Sequence, residues 1–239
     1  MLVVGFPAGP WGTNCWVLAT GKGEQCVVVD PGKDAAPGIE DVVREQGLEP
    51  VAVLLTHGHI DHVWSVVPVC GARGIPAYIH PDDRSMLADP LAGISAQTAQ
   101  MLASMTEGKL AAGEPDDVRL LTDGAVLELA GLELVVDHAP GHTRGSVMFR
   151  QAAAEGVPPL LLSGDVLFEG SIGRTDLPGG DHEAMLASLA RKVLPLDDET
   201  VVLPGHGGTT TIGDERATNP YLTALIRQGS STAAPGRGL

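Results

Sequence analysis

The stretch Val51-Ala52-Val53-Leu54-Leu55-Thr56-His57-Gly58-His59-Ile60-Asp61-His62 carries an apolar run straight into a cluster of ligand-type side chains. The run Val51–Leu55 has no polar alternation, which is the pattern of a strand buried on both faces. His57, His59, Asp61 and His62 then fall within six residues. His57 and His59 are two apart, so in an extended segment they point the same way. Asp61 and His62 come as the chain turns into the next helix, and they can face the same pocket from its other side. Neutral imidazole is a common metal ligand and carboxylate prefers harder ions, so a mixed set suits Zn²⁺, Fe or Mn²⁺. A purely structural account has Asp61 capping the following helix and Thr56 capping the turn. It offers nothing for three His and one Asp in six residues.

Upstream, Cys15–Leu18 and Gln25–Asp30 read as strands, the second closed by Asp30-Pro31-Gly32. Ala36–Gln46 reads as a helix with Gly47 as its C-cap. Downstream, a helix is expected through about Ala72, ending at Gly71 or Gly74, then a short strand at Ala77–His80. Residues 81–117 look like an irregular insertion with a helix at Ala96–Met105, part of it covering a site. Further strands are expected at Val118–Leu121, Ala125–Leu129, Leu132–Asp137, Ser146–Arg150, Leu160–Ser163 and Thr200–Leu203, with a helix at Asp181–Val193. Strands recur in two batches, each with helices. That predicts an α/β fold of two packed sheets covered outside by helices. Residues 1–228 are expected to form the folded unit, and 229–239, rich in Gly, Ser, Ala and Pro, a disordered tail.

Four ligands so close in sequence do not by themselves enclose an ion with good geometry. Three later segments repeat the same pattern of apolar strand, small-residue turn and ligand. They are Leu134–Ala139 into Pro140-Gly141-His142-Thr143, Leu160–Ser163 into Gly164-Asp165, and Val201–Leu203 into Pro204-Gly205-His206. Each Gly lets the backbone turn sharply, so the next side chain can reach a common point. The other His read as bystanders: His80 as structural or surface, His138 as a surface strand end or a partner of His142, and His182 as the solvated start of a helix.

Composition narrows the function classes. The chain has 239 residues and a formal charge of −15, with 30 Asp+Glu against 15 Lys+Arg. Such a surface repels phosphate backbones, which argues against nucleic acid as a partner. Three Cys without C-x-x-C spacing, Cys15, Cys26 and Cys70, read as small core residues in a reducing compartment. No apolar run approaches the roughly 18 residues of a membrane helix and no secretory signal appears, so a cytoplasmic protein is expected.

The motifs together are similar to those of the metallo-β-lactamase superfamily: His57-Gly58-His59-Ile60-Asp61-His62 matches H-x-H-x-D-H, and Pro140-Gly141-His142, Ser163-Gly164-Asp165 and Leu203-Pro204-Gly205-His206 follow in the family's order. The segment Asp165–Asp176, with Gly173-Arg174-Thr175-Asp176, resembles the glyoxalase II (hydroxyacylglutathione hydrolase) branch. The resemblance implies a four-layer αβ/βα sandwich of two mixed sheets flanked by helices, with two divalent metal ions in the cleft. His57, His59 and His142 would hold one ion, Asp61, His62 and His206 the other, and Asp165 would bridge them. Zn²⁺ is the first expectation, with Fe or Mn as alternatives. The implied reaction is hydrolysis of a 2-hydroxy-acid thioester of S-lactoyl-thiol type by a hydroxide bridging the ions, with Asp61 orienting it.

One departure bears on the substrate. Longer glyoxalase II enzymes carry a C-terminal helical domain whose basic residues bind glutathione. Here 33 residues follow His206, with Arg216, Arg227 and Arg237. A short form using another small thiol is therefore an alternative. A mononuclear-iron persulfide dioxygenase shares the Gly-Arg-Thr-Asp segment and is the rival reaction. A β-lactamase is disfavoured by Asp165, a nuclease by the missing basic groove, and a degenerate scaffold by the intact ligand set. Arg174 is expected to salt-bridge to Asp176 inside the fold, with contact to a substrate carboxylate as the alternative, and Tyr78 and Trp64 are expected to pack.

Overall fold

The computed structural model describes residues 1–105 and 113–232. The first sheet contains β1 (Leu2–Ala8), β2 (Thr13–Ala19), β3 (Gln25–Val29), β4 (Glu49–Leu54), β5 (Ala77–Ile79) and β6 (Val118–Leu120), in that spatial order. The first three strands run antiparallel, and β3 through β6 pair in parallel. The second sheet contains β7 (Val126–Leu129), β8 (Leu132–His138), β9 (Val147–Gln151), β10 (Leu160–Gly164), β11 (Val201–Pro204) and β12 (Thr210–Thr211), again in chain order. Only β10 and β11 are parallel there. Both sheets are mixed and both carry helices, which is the expected four-layer αβ/βα sandwich.

Alternation along the apolar strands explains the layers. In β2, Trp16 and Leu18 point into the space between the sheets, while Cys15, Val17 and Ala19 point outward. In β10, Leu160 and Leu162 point inward and Leu161 outward. Each side of a central strand thus meets an apolar layer, so the sequence needs no polar positions there. The outer layer of the first sheet is α1 (Ala35–Gln46) with α2 (Ile60–Val63) and α3 (Val66–Arg73). Ile39, Val66, Val69 and Cys70 fill it. After α4 (Ser85–Ala88) and α5 (Ala96–Met105), the outer layer of the second sheet is built by α6 (His182–Ser188), α7 (Ile212–Thr218) and α8 (Pro220–Thr232). A wider turn at Leu189–Val193 continues α6, and Met185, Leu189, Ile212 and Leu222 pack against Met148 and Leu161. All three Cys are buried and unpaired.

Several elements differ from the sequence expectation. The helix expected through Ala72 is two helices, broken between Val63 and Val66 and ended by Gly74 at φ +63°. The edge strand β1 has a weak sequence signal because Gly5 and Pro7 interrupt its alternation. Gly5 is needed there: a Cβ would collide with the ring of Trp16, its cross-strand partner. Strand β12 and helix α7 were not evident from periodicity. Helix α8 carries the chain past Gly229, where the expected tail begins. The rest of that tail, with Arg237, lies outside the described residues.

Candidate metal centre

The turns that follow β4, β8, β10 and β11 meet at one end of the sandwich. His57 and His59 follow β4, and Asp61 and His62 open α2. His142, Asp165 and His206 sit on the turns after the three strands of the second sheet. All seven predicted ligands are thereby brought together. His57, His59 and His142 have ligand atoms within 4.8 Å of one another, and so do Asp61, His62 and His206. Asp165 reaches both groups: its carboxylate lies 3.4 Å from His142 Nε2, 3.3 Å from His62 Nε2 and 3.6 Å from His206 Nε2.

Hydrogen bonds fix which ring nitrogens face inward. Thr56 Oγ1 donates to Asp30 Oδ2, so it accepts from His57 Nδ1. That leaves His57 Nε2 bare, buried and without a hydrogen-bond partner. His62 Nδ1 donates to Asp30 Oδ2 at 2.9 Å, and His142 Nδ1 donates to the Arg174 carbonyl at 2.7 Å. The Nε2 lone pairs of both rings therefore point at the centre. His59 presents Nδ1, 2.8 Å from His142 Nε2. Asp165 Oδ1 is buried with no hydrogen-bond partner. Converging bare donors of this kind are costly in a folded core unless a cation completes them.

The spacing also fits a cation. The contacts His62 Nε2–Asp61 Oδ2, His62 Nε2–Asp165 Oδ1 and His206 Nε2–Asp61 Oδ2 are 3.5, 3.3 and 3.2 Å. A tetrahedron with bonds of about 2.1 Å has edges of about 3.4 Å. Charge agrees with spacing. Burial and neighbouring imidazoles hold His57 far below its ordinary value, and burial with His142 holds His59 down to about 3. Both rings are neutral ligands at neutral pH. In the other half burial pushes the Asp61 and Asp165 carboxyls up, but His62 and His206 more than reverse this and leave both below the usual carboxylate range. Burial opposes protonation of His62, but Asp165, Asp61 and Asp30 raise it nonetheless. Without an ion, that half gathers protons to balance its carboxylates; a divalent cation supplies the same positive charge.

Two further buried carboxylates hold the candidate ligands by hydrogen bonds; Asp30 also lies within 4.8 Å of ring nitrogens of His57 and His62, but its oxygens are taken up by the bonds they accept. Asp30 accepts from Thr56 N, Thr56 Oγ1 and His62 Nδ1. Asp83 accepts from Gly58 N, Thr143 Oγ1 and Gly145 N, tying the His57–His59 turn to the His142 turn. Neither role was read from the sequence. Asp30 had a signal, because it ends a strand at Asp-Pro-Gly as the ligands end theirs; Asp83 had none. Asn14 Nδ2 and Trp16 Nε1 donate to the Pro204 carbonyl, and Thr13 Oγ1 donates to Asp61 Oδ2, so β2 holds the His206 turn in place.

The bystanders take defined places. His80 stacks on His138 with ring centroids 4.0 Å apart and planes 9° from parallel. These two and Asp82 form a further group of ligand-type atoms. Lone pairs of parallel rings do not converge, and His138 Nε2 is engaged by the Arg144 carbonyl. His182 starts α6, exposed, behind the Asp181 cap. Arg174 forks onto Asp176 with two 2.7 Å bonds, as an exposed pair rather than one inside the fold, and also lines the cavity. Tyr78 is buried between the sheets, and Trp64 packs against Trp11.

A cavity of about 430 Å³ opens over the ligands, lined by His59, Asp61, His142, Asp165 and His206 on its floor. Its walls are Trp11, Ile94, Thr98, Leu102, Phe168 and Leu177, so the 81–117 segment does cover the site through α5.

A model of the metallo-beta-lactamase superfamily matches residues 8–206. The chain belongs to the metallo-β-lactamase superfamily. Among curated proteins it is 37% identical to the probable metallo-hydrolase YqgX of Bacillus subtilis, over 92% of this chain and 97% of that one. It is 32% identical to the hydroxyacylglutathione hydrolase GloC of Haemophilus influenzae, over the same shares. Among solved superfamily structures it is similar to the B3 metallo-β-lactamase BLEG-1, with a TM-score of 0.79 and 41% identity over 93% of this chain and all of that one. It is also similar to TTHA1623 in a di-iron-bound form, with a TM-score of 0.72 and 39% identity over the same shares. Superfamily membership and the clustered donors make it a metal-dependent hydrolase. Among the described residues, no helix is long and apolar enough to cross a membrane.

Proposed function

We propose that this chain is a binuclear glyoxalase II-like thioesterase of the cytoplasm, cleaving 2-hydroxy-acid thioesters of S-lactoyl-thiol type. The observation that carries the reading is Asp165 shared between two complete donor sets, His57/His59/His142 and Asp61/His62/His206. The single-iron dioxygenase needs one of these sets, so the number of metals per chain separates it from this reading. When bound, the two ions supply a hydroxide nucleophile at neutral pH and Lewis-acid stabilisation of the developing oxyanion. Zn²⁺ is the first choice for this His/Asp set, and the di-iron relative keeps Fe open.

The protein's own part is positioning. Asp61 is ionised, lines the cavity floor and is held by Thr13 Oγ1 at 3.1 Å, so it orients the attacking water by accepting its hydrogen bond. Asp30 and the Arg174 carbonyl keep His62 and His142 in the tautomers that face the centre. The reaction forms a C–O bond, breaks the C–S bond and returns a proton to sulfur, giving a carboxylic acid and a thiol. Hydroxyacylglutathione hydrolase GloC is matched over 97% of its own length, so this chain's shortness does not by itself exclude glutathione.

The relative named as a B3 metallo-β-lactamase favours β-lactam hydrolysis as a second reading, since the same floor can present water to a lactam carbonyl. Metal analysis of the purified protein, with lactoyl-thioester, β-lactam and persulfide panels, separates the readings. About two metals per chain with rapid thiol release is the expected result. One iron with persulfide-dependent oxygen uptake and no hydrolysis would replace it with the dioxygenase.

A further inference from the structure

Resting on that thioesterase reading, we propose that the sulfur-borne arm of the substrate is apolar and uncharged, and that Trp11, Leu102, Phe168 and Leu177 select it. The wall comes from four separate places: Trp11 in the β1–β2 turn, Leu102 on α5, Phe168 just after β10, and Leu177 before α6. Trp11 is 37% exposed, so the core does not account for its placement. It leans on Trp64 with ring centroids 6.1 Å apart, and the Phe168 ring stands edge-on to His206 at 6.1 Å. Trp11, backed by Trp64, and the Phe168 ring thus flank the same opening.

Charge points the same way. Among the described residues lining the cavity, Arg174 is the one permanent cation, and both its contacts to Asp176 are 2.7 Å. Lys33, lying over Trp64, is paired with Asp34. A thiol arm bearing carboxylates or phosphates would lose water against the apolar wall, where Arg174, an exposed cation already forked onto Asp176, is the one permanent positive charge among the described lining residues. A 2-hydroxyacyl group is small and polar and suits the floor of His and Asp. The apolar wall is left for what lies beyond sulfur, where removal of apolar surface from water is favourable.

The test uses the metal-loaded protein and three lactoyl thioesters, of benzyl mercaptan, N-acetylcysteamine and glutathione, each rate divided by that thioester's own hydroxide-catalysed rate. Normalised kcat/KM for the benzyl thioester should exceed that for glutathione by roughly tenfold or more. The ratio should collapse in Leu177→Lys. A second readout is independent of turnover: tryptophan fluorescence titrated with the non-hydrolysable thioethers of the same thiols, in wild type and Trp11→Phe. Tighter binding of the benzyl thioether, with the signal reduced in Trp11→Phe, is expected. Equal or better hydrolysis of the glutathione thioester overturns the proposal. If no thioester is cleaved but the benzyl thioether still binds preferentially, the wall's selectivity stands and the thioesterase reading falls. If neither hydrolysis nor binding favours the apolar arm, the proposal falls.

Discussion

At the scale of single residues, Asp30 has backbone φ +50°, a left-handed conformation that Asp tolerates better than most residues. That turn aims its carboxylate at Thr56 and His62, and through them at the bare nitrogens of the centre. Asp30→Ala frees His62 Nδ1 and removes the anion that fixes its tautomer. Metal affinity should fall about 10–100-fold with the overall fold retained, as read by metal titration and circular dichroism. Asp165→Ala acts on the ligand set itself: both halves lose the shared carboxylate. It should lose metal and thioester hydrolysis together. Full activity in a metal-replete Asp165→Ala protein would remove the basis for the binuclear reading. The ligands were legible in the sequence because each sits where an apolar strand meets a small-residue turn. Asp83 was not, since it lies in a stretch without periodicity and its three donors come from turns 25 and more residues away.

At the scale of elements, the site depends on how closely strand-end turns approach one another. Gly205 follows β11, and its backbone N–H donates to the Gly164 carbonyl at 2.9 Å. A Cβ there would collide with Asp165 Oδ1 and stand 2.7 Å from His62 Cε1. Gly205→Ala should leave the sandwich folded but displace the shared carboxylate, lowering metal content per chain at least tenfold relative to wild type. Unchanged metal content would mean that the turn can give way. Most strands and α1, α5 and α6 follow the sequence expectation because their apolar periodicity is strong. The elements that escaped it include β1, β12, α4 and α7, which are short or edge-placed and draw their stability from neighbours, and also the 13-residue helix α8, for which length is no reason.

At the scale of the whole molecule, one of the three apolar layers, between the first sheet and its outer helices, encloses all three thiols. Burial raises Cys15 well above its ordinary value and pushes Cys26 and Cys70 up to about 12. All three should resist a thiol reagent at pH 8 in the native protein and react fully once it is denatured. Because the unfolded thiols ionise first, stability should be complete below about pH 9 and fall as pH rises towards 12. Rapid labelling of the folded protein would show that this layer opens. The sequence by itself determined the layered α/β class and singled out the seven candidate ligand positions that the fold brings together, because hydrophobic periodicity and strand-end turns are local properties. Tertiary structure alone decided which ring nitrogens face the centre, which carboxylates support rather than ligate, and which side chains wall the cavity. Each of those depends on residues distant in the chain that meet only when the two sheets close, and no local pattern records such a meeting.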